Sequence, residues 1–194
     1  NLGRKLLISV IICTYNRAAL LVDALQTVCE QQLDWSDYEV IVVDNNSTDH
    51  TFEVVHAFAQ RYPQIRYCCE TQLGLSHARN RGWQEAIGEY VAYIDDDCKA
   101  PPEWLQMAQT IIRREQPVEF GGPFLPYYSD AKPAWWRDAY DAQHTDGYNR
   151  SAGYLPPQFE IFGCNLFLQR AILAKIGGFN PAFGMNGRKL AYGE

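Results

Sequence analysis

The first 115 residues alternate between apolar runs of strand length and segments with helical periodicity. The run at 6–13, Leu-Leu-Ile-Ser-Val-Ile-Ile-Cys, is almost continuously apolar, as is typical of a central parallel strand covered on both faces. Further strands are predicted at 38–43, 65–69 and 89–94, and helices at 18–31, from just after residue 47 or 48 to 62, at 76–87 and from 101 or 102 to 114. This alternation predicts an α/β fold with a doubly wound, mainly parallel sheet flanked by helices.

Two helix boundaries have recognisable signals. Ser47 or Thr48 is expected to cap the second helix, and Gly88 occupies the position of a glycine that ends the third. Beyond residue 115 the alternation stops. Strands are predicted within 118–125 and 158–168 and a short helix at 170–176, separated by a stretch rich in aromatic residues. We therefore expect two parts, an α/β subdomain at 1–115 and a smaller aromatic-rich lobe at 116–194.

Composition and charge exclude several classes of protein. The net charge of -6 argues against a general nucleic-acid-binding surface, so no nucleic-acid partner is expected. No apolar run approaches the roughly 18 residues of a membrane span, and no secretory leader is recognisable, which predicts a cytoplasmic protein. The six cysteines form no Cys-x-x-Cys pair, which favours a reducing compartment and no zinc site.

Three consecutive acids, Asp95, Asp96 and Asp97, follow the fourth predicted strand. Adjacent like charges are unfavourable unless water, a cation or hydrogen-bond donors meet them. At the carboxyl edge of an open α/β sheet, where ligands bind, such acids suit a hard divalent ion that carries a diphosphate. A solvated acidic turn is the alternative.

Two other strand ends are expected at the same edge. The first strand runs into Thr14-Tyr15-Asn16-Arg17, which has neither the glycine pattern of a dinucleotide-binding fold nor a P-loop. It offers instead an aromatic ring able to stack on a base. The second strand ends at Asp44, whose carboxylate can accept the ring N–H of a pyrimidine or, alternatively, cap the next helix.

Together these segments resemble family-2 glycosyltransferases with the GT-A fold. The resemblance rests on Ser-Val-Ile-Ile-Cys-Thr-Tyr-Asn-Arg at 9–17, Val-Val-Asp-Asn-Asn-Ser-Thr-Asp at 42–49, Gly-Leu-Ser-His-Ala-Arg-Asn-Arg-Gly at 74–82 and Tyr-Ile-Asp-Asp-Asp at 93–97. Phe-Gly-Cys-Asn at 162–165 and Gly-Gly-Phe-Asn at 177–180 resemble the weaker acceptor-side pattern. The resemblance implies an inverting transfer of a sugar from a nucleotide-diphosphate donor, usually UDP-linked, with Mn²⁺ or Mg²⁺.

The resemblance also assigns residues. It implies that Thr14 to Arg17 bind the nucleotide, with Thr14 and Tyr15 at the base. Asp44 would meet the uracil ring, and Arg79 the base or diphosphate. Asp96 would meet the ribose, and Asp97 would hold the metal while Asp95 completes the Asp-x-Asp pair. On the residues alone, Arg79 could equally pair with Glu85 on the surface of its helix.

On the acceptor side, the resemblance points to Cys164 and Asn165, and the Trp135-Trp136 pair is a candidate platform for a sugar or, alternatively, part of a core. The acceptor would be a glycan, a lipid-linked glycan or a protein, and the parent protein could associate peripherally with the inner face of the cell membrane. The family's general base follows a Gly-Glu pair, and the sequence stops at Glu194, which is therefore a neighbour of the base or a substitute for it.

Two other functions stay open on the residues. A sugar-1-phosphate nucleotidyltransferase shares the fold type and the need for a metal, but it requires a glycine-rich loop after the first strand. A non-catalytic module that binds a nucleotide or glycan needs no base.

Overall fold

A computed structural model describes residues 6–128, 131–137, 161–186 and 189–191. Strands and helices alternate through the first 115 residues. The strands are β1 (Ile8–Thr14), β2 (Tyr38–Asp44), β3 (Ile65–Cys69) and β4 (Tyr90–Tyr93). The helices are α1 (Ala18–Cys29), α2 (Thr51–Arg61), α3 (Leu75–Glu85) and α4 (Trp104–Glu115). The predicted alternation is confirmed.

Later segments extend the same sheet. They are β5 (Glu119–Gly121), a 3₁₀ turn (Gly163–Asn165), β6 (Leu166–Gln169) and α5 (Arg170–Ile176). The strand order is β3-β2-β1-β4-β6-β5, parallel from β3 to β4 and antiparallel where β6 pairs with β4 and β5. Two short strands, β7 (Gly184–Asn186) and β8 (Lys189–Ala191), form a separate antiparallel ribbon. The mainly parallel sheet is confirmed.

Alternate residues of β1 explain why helices cover both faces. Val10 and Ile12 belong to a buried cluster with residues of α1, α2 and α4, whereas Ile11 belongs to a second buried cluster with residues of α3 and α5. Successive side chains of a strand point to opposite faces, so an unbroken apolar run provides a core on each side. Among the described helices, none has the length and apolarity needed to span a bilayer.

Close contacts at two glycines fix how α3 meets the sheet. A Cβ on Gly82 would lie 2.5 Å from Cγ2 of Ile11, so glycine lets the helix approach the strand. A Cβ on Gly88 would lie 2.7 Å from both the backbone nitrogen and Oγ of Ser9. The prediction that Gly88 ends the helix was wrong, because α3 ends at Glu85 and Gly88 is needed where the chain passes β1.

The predicted cap of α2 was also wrong. The helix begins at Thr51 with His50 as its N-cap residue, so Ser47 and Thr48 lie ahead of it. Both instead contact Asn16, as described below. Asp49 supplies the acceptor at this helix start: its Oδ1 accepts from the backbone N–H of Thr51, and its Oδ2 accepts from the N–H of Ala18 at the start of α1. One carboxylate therefore serves two helices.

Candidate donor site at the carboxyl edge of the sheet

Three strand ends meet at one edge of the sheet. Thr14 at the end of β1 lies opposite Asp44 at the end of β2, and Ile11 lies opposite Tyr93 at the end of β4. Because these strands are parallel, the segments that follow them, 14–17, 44–49 and 95–97, share that edge. The predicted convergence is confirmed.

Asp96 is the most firmly held acid of the triplet. It is 5% exposed, the hydroxyl of Thr14 donates to its Oδ2 at 2.7 Å, and Nη1 of Arg17 donates to its Oδ1 at 3.1 Å. Burial raises the pKa of Asp96, and the Thr14 hydrogen bond and the Arg17 charge oppose that rise. Thr14, itself buried, thus orients an acid of the site.

Arg17 also reaches Asp97. Its Nη1 lies 3.0 Å from Oδ2 of Asp97, whose side chain is 45% exposed. The adjacent acids raise the pKa of Arg17, Asp96 foremost. A single guanidinium therefore places positive charge beside two carboxylates, at the position where the sequence predicts a cation.

Tyr15 and Asn16 differ in what they offer. Tyr15 is 49% exposed at the open edge, where its ring is accessible to a base. Asn16 adopts a left-handed backbone conformation with φ 53°, its N–H donates to Oγ of Ser47, and its Oδ1 accepts from the N–H of Thr48. The contacts of Asn16 join the loops after β1 and β2, while its contact with a nucleotide stays a prediction.

Asp44, the last residue of β2, is 3% exposed. Its Oδ1 accepts from the backbone N–H of Ser47 and its Oδ2 from the hydroxyl of Tyr67, both at 2.8 Å. Burial and the Asp44 carboxylate raise the pKa of Tyr67. The alternative that Asp44 caps the next helix is wrong, because Ser47 precedes α2. Sequence reasoning did not identify Tyr67, which looks like an ordinary strand residue.

Arg79 lies inside the protein rather than on the surface of its helix. It is 8% exposed, and its guanidinium carbon is 5.8 Å from the ring centre of Tyr93 and 5.5 Å from that of Phe179. The surface alternative is wrong, since Arg81 pairs with Glu85 at 2.8 Å. The positive charge of Arg79 counteracts the rise that burial causes in the pKa of Asp95. A contact of Arg79 with the base or diphosphate stays a prediction.

A cluster that sequence reasoning missed lies beside the triplet. A carboxylate oxygen of Asp95 and the sulfur atoms of Cys98 and Cys164 lie within 4.8 Å of one another, and all three residues are partly buried. A hydrogen bond between the thiols lowers the pKa of Cys164 and raises that of Cys98. No short motif links residues so far apart in the chain, so only the fold shows the cluster.

Asn165, predicted on the acceptor side, holds the 3₁₀ turn in place. Its Oδ1 accepts from Nε1 of Trp104 at 2.9 Å, and its Nδ2 donates to the carbonyl of Pro123 at 3.3 Å. The turn therefore has anchors on α4 and on the segment after β5. Glu194 lies outside the described residues, so the prediction about the general base has no structural counterpart here.

Aromatic residues border the site on the side of Asp97. The hydroxyl of Tyr127 donates to the backbone carbonyl of Asp97 at 3.2 Å, and Nζ of Lys99 lies 4.8 Å from the Tyr127 ring centre. A cavity of about 460 Å³ opens here, lined by Leu20, Asp23, Asp97, Lys99, Tyr127 and Tyr128. The ring of Trp136 packs on Tyr128 and on Trp135. Trp135 is 69% exposed whereas Trp136 is partly buried, so the core alternative for this pair is wrong for Trp135 alone.

Solved structures share this architecture. S. aureus TarS, residues 1–349, superposes with a TM-score of 0.72 at 20% identity, over 91% of this chain and 50% of TarS. The mannosyltransferase PcManGT from Pyrobaculum calidifontis, solved with GDP-Man and Mn²⁺, gives a TM-score of 0.68 at 27% identity, over 92% of this chain and 49% of that one. TarS has also been solved with UDP and with UDP-GlcNAc. The fold is the GT-A fold.

Sequence comparison places the chain in a family. Residues 9–177 match the model of glycosyl transferase family 2, and the chain belongs to that family. Glycosyltransferase AglE of Haloferax volcanii is 37% identical over 106 residues, 54% of this chain and 35% of AglE. Glucosyl-dolichyl phosphate glucuronosyltransferase of the same organism is 25% identical over 185 residues, 94% of this chain and 58% of that protein. The chain thus spans between about a third and three fifths of these two relatives.

Proposed function

We propose that this chain forms the donor-binding part of an inverting glycosyltransferase that takes a sugar from a nucleotide-diphosphate donor, UDP-linked by preference. The observation that carries the proposal is the meeting of Thr14, Arg17, Asp96 and Asp97 at one sheet edge, with Asp44 at the neighbouring strand end. Open α/β sheets bind ligands at this edge. TarS, solved with UDP-GlcNAc, supports a uridine donor.

Each end of the nucleotide has a candidate partner. The exposed ring of Tyr15 would stack on the base, and the Asp44 carboxylate, already polarised by two donors, would accept a ring N–H. Asp96 would accept from ribose hydroxyls, since its orientation is fixed by Thr14. Arg17 is long and half-exposed, so it would turn from the carboxylates towards the diphosphate.

The donor set fits a hard divalent ion. Mg²⁺ and Mn²⁺ prefer oxygen ligands, and Asp97 presents an exposed carboxylate. The guanidinium of Arg17 already contacts this carboxylate, so the position accepts positive charge. Asp97 would hold Mn²⁺ or Mg²⁺, with Asp95 completing the Asp-x-Asp pair. Such an ion supplies stabilisation of the charge that develops on the leaving diphosphate. The neighbour PcManGT, solved with Mn²⁺, supports this choice.

The cavity beside Asp97 is where the sugar and acceptor would lie. Tyr127 and Tyr128 line it, and the exposed Trp135 extends the aromatic surface on which a sugar ring would stack. A carboxylate at or near Glu194 would remove the proton from the acceptor hydroxyl. The acceptor would be a glycan, a lipid-linked glycan or a protein, the lipid-linked case favouring peripheral association at the inner membrane face. The Haloferax relative named for glucosyl-dolichyl phosphate supports that case.

Calorimetry of nucleotide binding tests the proposal. We expect UDP to bind in the presence of Mn²⁺ more tightly than GDP does, and we expect Asp97→Ala to abolish the metal dependence. Glu115→Ala, at the far end of α4, is the matched control and should bind as the wild type does. Failure of every nucleotide to bind, or an unchanged metal dependence in Asp97→Ala, would overturn the proposal. UDP binding without release of UDP from any UDP-sugar would favour the non-catalytic alternative.

A further inference from the structure

We propose that Asp95, Cys98 and Cys164 form a binding site for a thiophilic divalent cation, with Zn²⁺ as the expected ion. The three ligand atoms lie within 4.8 Å of one another, a spacing that a single ion can bridge. Two sulfur atoms and one carboxylate oxygen are ligands that zinc accepts in tetrahedral sites. The site is separate in chemistry from the all-oxygen site proposed at Asp97.

The fold brings these residues together. β4 and β6 are antiparallel, with Tyr93 opposite Leu166. The chain leaving β4 and the chain entering β6 therefore meet at one place, and this places Asp95 beside Cys164. A turn completes the set, since the N–H of Cys98 donates to the carbonyl of Asp95 at 3.1 Å. The sequence favoured no zinc site because it has no Cys-x-x-Cys pair, a criterion that does not detect ligands joined by strand pairing.

Contacts of the residues on either side of Cys164 fix the position of this ligand. Asn165, next to Cys164, is fixed by its bonds to Trp104 and Pro123. On the other side of the turn, Gly163 packs so closely on the Arg79 guanidinium that a Cβ there would overlap it. A site whose ligands are already fixed loses less conformational entropy on binding an ion.

The proposed binding is balanced in protons and charge. Zinc takes thiolates, so the ion displaces the protons of Cys98 and Cys164 to solvent while Asp95 binds as a carboxylate. Three protein ligands leave the fourth tetrahedral position for water. Because Asp95 belongs to both ligand sets, zinc is expected to weaken the binding of UDP with Mn²⁺. That consequence alone rests on the proposed function.

Cobalt spectroscopy tests the site without reference to nucleotides. With the thiols kept reduced by a phosphine, Co²⁺ added to the wild type should give the sulfur-to-cobalt charge-transfer band and the intense visible bands of tetrahedral coordination. Addition of Zn²⁺ should abolish both. Cys98→Ser and Cys164→Ser should each lose at least about tenfold in Co²⁺ affinity. Cys69→Ser removes an exposed thiol elsewhere and should keep the full spectrum.

A second measurement covers variants that do not fold. Zn²⁺ should slow alkylation of Cys98 and Cys164 in the wild type, read by peptide mass spectrometry, while Cys69 reacts at an unchanged rate. Octahedral cobalt spectra, an unchanged Co²⁺ affinity in Cys98→Ser, or equal alkylation with and without zinc would overturn the proposal. None of these readouts depends on nucleotide binding. The zinc site can therefore be disproved while the proposed function stands, and the reverse.

Discussion

The guanidinium of Arg17 lies 3.0 Å from the carboxylate of Asp97, the most exposed acid of the triplet. Arg17 thereby partly neutralises the acids that a metal ion would otherwise meet. We expect Arg17→Gln, without nucleotide, to bind Mn²⁺ about fivefold more tightly, which is roughly the 1 kcal/mol of an exposed ion pair. Electron paramagnetic resonance of free Mn²⁺ measures this. Arg113→Gln on α4 is the control. Unchanged or weaker Mn²⁺ binding in Arg17→Gln would show that Arg17 does not compete with the ion for these carboxylates.

Asp44→Asn should weaken UDP more than it weakens Mn²⁺. An amide presents its NH₂ either to the base or to the Tyr67 hydroxyl, so one acceptor contact is lost, at a cost of about 1–3 kcal/mol. Tyr67→Phe is the matched control, because it removes the hydroxyl and keeps the carboxylate. Calorimetry with UDP and GDP is the measurement. Equal losses for the two nucleotides would count against base reading.

Glu39→Gln should destabilise the fold without affecting the donor site. Glu39 is 5% exposed; its Oε1 accepts from the Ser9 hydroxyl at 2.6 Å and the Ile87 N–H at 2.9 Å, and its Oε2 accepts from Arg66. Loss of a charged acceptor for buried donors costs about 1–3 kcal/mol. Urea unfolding measures it. Glu85→Gln, at the exposed end of the same network, should cost less than about 1 kcal/mol, and the reverse order would show that the buried contacts matter less.

Asp49→Ala should destabilise the protein in a pH-dependent way. Hydrogen bonds, first that of Thr51, lower the pKa of Asp49. A lowered carboxylate pKa contributes stability that is fully present above the ordinary value of about 3.9 and is lost as the pH falls through the folded-state pKa. We expect a cost of about 1 kcal/mol at neutral pH, shrinking on acidification. Asp49→Asn keeps one acceptor and should cost less; a cost of Asp49→Ala that is constant with pH would argue that the ionised carboxylate does not stabilise these helix starts.

Trp135→Ala should spare both stability and UDP binding and raise the KM for the acceptor. The side chain is 69% exposed, so its removal should change the free energy of unfolding by no more than about 0.5 kcal/mol. Urea unfolding, UDP calorimetry and acceptor kinetics check the three parts. Trp35→Ala, another exposed tryptophan that packs on Tyr62, is the control. Loss of UDP binding in Trp135→Ala would place the ring in the donor site instead.

The convergence of strand ends was predictable because it follows from parallel pairing alone. Periodicity identified each strand and helix of the first 115 residues, and strand direction then placed Thr14, Asp44 and Asp95 to Asp97 at one edge. What the sequence could not show is how the side chains divide their hydrogen bonds. Asp49 rather than Ser47 accepts from the start of α2, because the Ser47 hydroxyl instead accepts from the N–H of Asn16 in the loop after β1.

Arg79 and Cys164 show a second limit. Helical periodicity does not reveal that Arg79 points inwards, since the rings of Tyr93 and Phe179 that enclose it come from distant segments. Cys164 meets Cys98 only because β6 is antiparallel to β4. Sequence patterns predict helices and strands. Contacts between residues that a later strand brings together can be seen only once the fold is known.

The position of β6 also determines where the chain can be divided. β4 is buried along its length, and its outer edge is paired with β6, which arrives about 50 residues after α4 ends. A protein shortened to residues 1–115 would leave that edge with free N–H and C=O groups beside apolar side chains, a template for pairing between molecules. We therefore expect such a fragment to aggregate, and the two halves of the chain to be expressed successfully only as one piece.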